Sequence, residues 1–185
     1  MFNKINNTNI FLIALVTYLA LLINPVKSEY PTTSIGVIDI NMILSEAKAA
    51  IKASEEIEEI AINIDDEMKK IEDELILEQN ELAESQAVMT PESFESKMQN
   101  FQTKVQNFNI TKQEKLVSLD NMVAEARLQV LNAMEPILED ITIDEGITIL
   151  LDKSIVLLNN EKMDITEKVL KRLNKELSSI KISKD

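Results

Sequence analysis

The chain contains only two glycines, Gly36 and Gly146, and the 109 residues between them are interrupted by proline only at Pro91 and Pro136. Glycine costs about 1 kcal/mol and proline about 3 kcal/mol in a helix interior, so their scarcity permits very long helices. The strongest break, Thr90-Pro91, falls near the middle of the stretch. Threonine suits an N-cap and proline the first helical position. The segment therefore reads as one long helix, a tight reversal with its tip near 89–92, and a second long helix. This is an antiparallel hairpin arm over 54–140, not a globule.

The first 28 residues read separately. Lys4 supplies a positive start, Ile10 to Ile23 form an apolar run broken only by Thr17 and Tyr18, and Val26-Lys27-Ser28 fits a small-residue cleavage site before Glu29. These are the marks of a secretory signal peptide cleaved near Ser28, which implies export. The alternative is a retained anchor, but the apolar run spans only about 21 Å against a hydrocarbon core of about 30 Å. The chain has no cysteine, so neither a lipidated N-terminal cysteine nor a disulfide is available. Cleavage would take Lys4 and Lys27 from the 19 basic residues and none of the 32 acidic ones, leaving a net charge of −15. Such a surface repels nucleic acid and anionic lipid.

In the first arm Ile57, Ala61, Ile64, Met68, Ile71, Leu75 and Leu82 follow alternating steps of four and three, with Glu78 at the one polar position. That is a heptad seam. In the second arm Phe94, Met98, Phe101, Val105 and Phe108 keep the rule, and Leu116, Leu119, Val123, Ala126 and Val130 resume it. The spacing 108, 112, 116 makes a local eleven-residue repeat, so a bend or loosening is expected near Lys112. Outside the seam the first arm is strongly acidic, running from Glu55 to Glu84 with only Lys69 and Lys70 in opposition. Surplus apolar residues lie off the seam, and a two-helix hairpin can bury only one stripe. Ile62, Ile76, Met89, Met98, Ile110 and Met122 are the candidates to touch a client, flexible methionines suiting surfaces that adapt to many shapes.

The ends of the arm must meet. Ser34 to Ile40 is a β-branched run, while Ile147–Asp152 and Ile155–Leu158 flank Lys153-Ser154. These predict an N-terminal strand and a C-terminal β-hairpin. Asp164 is placed to cap a final helix whose stripe is Ile165, Val169, Leu170, Leu173 and Leu177. The fold class is α+β: a small β body over 29–53 and 141–185, covered by the last helix, with the coiled-coil arm projecting from it. Its core and oligomer-contact candidates are Ile35, Val37, Ile38, Ile40, Ile147, Ile149, Leu151, Val156, Leu158, Ile165, Val169 and Leu170. So small a sheet leaves edge strands to be joined or capped across subunits, which points to a homotrimer or another small ring.

The order of these segments resembles the Skp (OmpH) family of periplasmic chaperones: SIGVIDI, a short helix Asn41 to Lys52, a long charged hairpin, ITILLDKSIVLLNN and MDITEKVLKRL. The most specific part is the apolar strand ending at Asp152, followed by Asp164-Ile165-Thr166 opening a helix with Val169 and Leu170. The resemblance implies trimers whose β bodies associate and whose three arms enclose a cavity. It also implies ATP-independent holding of unfolded outer-membrane β-barrel proteins, with no cofactor. Two departures stand out. The acidic arms argue against the lipopolysaccharide or membrane-surface contact of basic members, and Ser54 stands in for a glycine between short helix and arm, where it is expected to act as the N-cap.

Enzymatic readings fare poorly. Without histidine or cysteine the commonest general base, metal ligand and thiol nucleophile are missing, and two glycines cannot build a phosphate loop. Asp144-Glu145-Gly146 lacks the surrounding oxygen-ligand pattern of a calcium loop. The alternative to a holdase is a structural coiled-coil spacer or adaptor in the envelope with one dedicated folded partner.

Overall fold

The computed structural model describes residues 33–183, so the expected signal peptide lies outside the described residues. Strand β1 (Ile35–Ile38) leads into a short helix α1 (Ile40–Glu46) and then the two arm helices, α2 (Lys48–Ser85) and α3 (Pro91–Asp144). Strand β2 (Ile149–Asp152) follows, then 3₁₀ turns at Lys153–Ile155 and Glu161–Met163 and a final helix α4 (Thr166–Glu176). At 1.5 Å per residue α2 is about 57 Å long and α3 about 81 Å, so most of the hairpin extends past the body.

The reversal forms where the sequence predicts it. Thr90 caps α3 through its side chain, which accepts from the Ser93 amide, and Pro91 opens the helix. Pro136 lies inside α3 without ending it. Met134, Ile137 and Ile141, all buried around this point, hold the last turns of α3 against the body. The helix stops at Gly146, whose φ of 65° allows the left-handed turn. There the Gly146 amide donates to the Ile143 carbonyl and the Ile147 amide to that of Thr142, a Schellman closure.

The two strands pair in parallel, with Ile35 opposite Ile149 and Ile38 opposite Asp152. Parallel pairing needs a long crossover, and here the whole arm supplies it. On the other side of β1 the chain returns at Asp164, and the Ile165 amide donates to the Val37 carbonyl. Gly36 is required by proximity: a Cβ on it would lie 2.8 Å from Ile147 Cδ1.

The body core differs in composition from the sequence reading. Val37, Ile38, Ile165, Val169 and Leu170 are buried as expected, and Ile40 and Ile147 pack at the core's margin. Its bulk, however, comes from helices: Ile43, Ala47, Val130, Met134, Ile137, Ile141 and Leu173. Ile35 and Ile149 face each other at the rim of the sheet and are exposed, while Leu151 and Val156 are half-buried.

The second strand of the expected C-terminal hairpin does not form. After β2 the Asp152 side chain accepts from the Ser154 amide and turns the chain into a 3₁₀ turn. With the tight reversal taken up in this way, Leu157 and Leu158 are left 99% and 93% exposed. Ser54 is likewise no cap, because α2 begins six residues earlier, after Ala47, and α1 ends at Glu46. The Lys48 amide instead donates to the Asn174 side chain of α4.

Candidate functional site

The seam of α2 follows the heptad reading throughout. Ile57, Met68 and Leu82 are buried, and Ala61, Ile64, Ile71, Leu75 and Glu78 are half-buried. Glu78 is matched by Lys104 of α3, whose ammonium donates at 2.7 Å. On α3 the seam begins at Phe94, Met98, Phe101, Val105 and Phe108 as predicted, then departs from the sequence reading. The eleven-residue step is not taken: α3 runs unbroken past Lys112 and turns Thr111, Lys115, Ser118, Leu119 and Met122 toward α2. The inward positions instead step by three twice, from Val105 through Phe108 to Thr111, before reaching Lys115 and Ser118. Leu116 and Val123 are thereby pushed out to solvent. Lys115 reaches Glu67 at 3.7 Å, while the Lys112 ammonium sits over the Phe108 ring, 5.7 Å from its centroid.

This register decides which candidates are available. Ile62 is 57% exposed, Ile110 is 48% exposed, and Ile76 is exposed on the same arm. Met89, at the tip, and Met98, in the seam, are half-buried. Met122 is only 6% exposed: it packs with Ala53, Ile57 and Ala126 at the arm's root and lines one end of a groove on α3. The shift in register that exposes Leu116 is the one that buries it. Leu77, Val88, Val117 and Leu128 add to the exposed apolar set.

One feature of α3 was missed in the sequence. A groove of about 910 Å³ runs along it, with Val105, Ile110 and Val117 set among Gln102, Gln106, Asn109, Gln113 and Asn121. The first four of these side-chain amides recur at steps of four and three and Asn121 follows two turns on, so they share one helix face. Each both donates and accepts hydrogen bonds, which suits a peptide backbone better than a charged group. In a chain of net charge −13, only Glu114 and Glu125 put charge into this groove. The missed signal is an amide repeat, which a search for apolar and charged patterns passes over.

The body end carries a polar cluster built from the segment Asp164-Ile165-Thr166. Asp164 accepts from the Lys153 ammonium at 2.7 Å, from the Thr166 amide at 3.0 Å and from the Thr166 hydroxyl. That hydroxyl oxygen in turn accepts from the Asp39 amide at 2.8 Å. Burial pushes the Asp164 carboxyl up, but the hydrogen bonds from Lys153 and Thr166 outweigh it and hold it below the usual carboxylate range. The same contact raises Lys153 above its ordinary value. The cluster joins β1, α1 and α4, so its role is to close the body. Among the described residues no group of three or more carboxylates is placed to hold a metal ion.

Fold and site together define a class: an arm-and-body protein whose helical hairpin is acidic along α2 and offers a weakly charged, amphipathic groove along α3. Residues 34–173 match the family model OmpH, outer membrane protein (OmpH-like), and the chain belongs to this family. No curated protein matches the sequence. Among solved structures, the chain is similar to a crystal structure from Caulobacter crescentus CB15 provisionally assigned as an OmpH-like outer membrane chaperone. The TM-score is 0.77 at 15% identity, covering 88% of this chain and 96% of that one. That likeness speaks for the fold, and family membership supports a chaperone role.

Proposed function

We propose that the chain is an ATP-independent periplasmic holdase that keeps unfolded outer-membrane β-barrel proteins from aggregating between the arms of a homotrimer. The observation that carries this reading is the double character of the arm. Its inner seam is satisfied within one chain, yet Ile62, Ile76, Ile110, Leu116 and Val123 remain exposed along its length. Apolar surface of this extent on a monomer marks a binding face. Its attraction to unfolded chains needs no positive charge, so the acidic arm is compatible with it. The role requires no catalytic step and no cofactor.

Assembly is supported by the body. Ile35, Ile149, Ile155, Leu157 and Leu158 are exposed apolar residues of a body whose two-stranded sheet leaves an edge of β2 open, and another copy would cover them. Sedimentation giving a stable monomer at micromolar concentration would contradict the trimer. For the client, photocrosslinkers at Ile62, Ile76 and Ile110 in the native envelope are expected to capture a mixture of unfolded barrel precursors. Capture of one folded protein would overturn the holdase reading in favour of a dedicated adaptor.

A further inference from the structure

The segment after α4 does not leave the molecule. Helix α4 ends at Glu176, Leu177 after it is extended, and the chain continues from there as a strap along the root of the arm. The carboxamide of Gln129 on α3 holds the strap's backbone at both poles of one residue. Its Nε2 donates to the Lys181 carbonyl at 2.7 Å and its Oε1 accepts from the Lys181 amide at 3.2 Å. On either side Ile180 and Ile182 pack against the cluster of Ala53, Ile57, Met122 and Ala126, and Ile180 also touches the body core. The Lys181 side chain is exposed. An extended peptide with apolar residues at alternate positions is thus already bound here, and it is the chain's own.

The strap also points onward. Ser183 lines the same groove as Asn121, Gln113 and Gln106, so the amide-rich face of α3 continues from where the strap is seated. The strap lies beyond residue 173, where the family match ends. A side-chain amide that holds one backbone residue at Gln129, where Nε2 also reaches Glu125 Oε1 at 3.5 Å, is followed up the same helix by Asn121, Gln113, Asn109 and Gln106, with Glu125 and Glu114 the two charged residues among them.

We propose that Gln129, its two flanking apolar seats and the amide-lined groove form one site for an extended peptide with apolar side chains at every second residue, and that Ile180–Ile182 is a built-in occupant which such a peptide displaces. Alternation of this kind is the pattern of a β-strand with one apolar face. The inference deepens the holdase reading and rests on it for the nature of the ligand. Because a site filled most of the time binds an outside ligand more weakly by the fraction that is open, the strap sets a threshold for capture.

The test uses the full chain, which has no cysteine of its own. A fluorophore on Lys181→Cys reports the strap, and the probe ligand is a ten-residue peptide alternating isoleucine with serine. Saturating peptide is expected to free the label, and a peptide of the same composition with its isoleucines in one block is expected not to. In unlabelled protein, Ile180→Ser with Ile182→Ser is expected to raise affinity for the alternating peptide about tenfold, and adding Gln129→Ala to lower it again by a similar factor. A label that stays seated at saturating peptide, or equal binding of the blocked peptide, overturns the proposal. The labelled chain keeps both isoleucines, so this result stands even if the serine variants fold poorly. Displacement by peptide in a chain that does not protect unfolded barrels would leave this site intact and remove the holdase reading. Protection with an immobile strap would do the reverse.

Discussion

The Lys48 backbone amide donates to the Asn174 side chain at 2.7 Å, so the first turn of the arm is capped by a residue 126 positions away in the sequence. The residue that should cap α2 locally is Ala47, which has no side-chain acceptor. Arm and last helix are therefore joined by a contact that also satisfies an otherwise open helix end.

Replacing Asn174 with alanine removes that cap. The expected loss is about 1 kcal/mol of stability, measured by urea denaturation, with Asn174→Asp retaining most of it because the acceptor oxygen remains. A neutral Asn174→Ala would mean that water caps Lys48 equally well.

Gly36 lies against the Ile147 side chain with no room for a methyl group. Gly36→Ala is expected to cost about 1–3 kcal/mol, as overpacking does. Ile147→Val removes the Cδ1 atom in the way and should recover part of the loss, so the two changes are expected to couple in a double-mutant cycle.

Asp164 gives the body a pH dependence at its acidic end. Its folded pKa lies below the unfolded one, so its contribution is present above the ordinary carboxylate range and is lost as pH falls through that range and then through the folded value. Lys153, raised by the same contact, loses its contribution only as pH rises past the ordinary lysine range. Melting temperatures between about pH 5 and 3 should fall less steeply in Asp164→Asn than in the parent. Parallel curves would show that other carboxylates govern acid unfolding.

The register of α3 can be read by two substitutions. Lys115 occupies a seam position and Lys112 lies outside it. Lys115→Leu is expected to stabilise the arm by about 1 kcal/mol through added apolar burial, and Lys112→Leu to leave it unchanged. The opposite ranking would restore the eleven-residue repeat.

These contrasts show which parts of the molecule were legible in its sequence. Thr90-Pro91 and the α2 seam were, because caps and strict heptads are local signals. The α3 seam beyond Phe108 was legible only in part: Leu119, Ala126 and Val130 are turned inward as their spacing predicts, but Leu116 and Val123, which share that spacing, are exposed. Met122 was misplaced in the same stretch. The strand expected at Ile155–Leu158 had the right composition, but Asp152 and Lys153 commit their side chains to a 3₁₀ turn and to Asp164. The cap at Lys48 and the clamp at Gln129 join residues far apart in sequence, and neither leaves a local pattern.

In the proposed function, exposed apolar residues on the arm hold unfolded barrels. Light scattering of a denatured outer-membrane barrel, diluted into buffer with the chain at stoichiometric ratio, tests it most directly. The native chain is expected to suppress aggregation, and a variant with Ile62, Ile76 and Ile110 changed to serine, melting as the parent does, to lose most of that protection. Aggregation that proceeds equally with and without the native chain would contradict it.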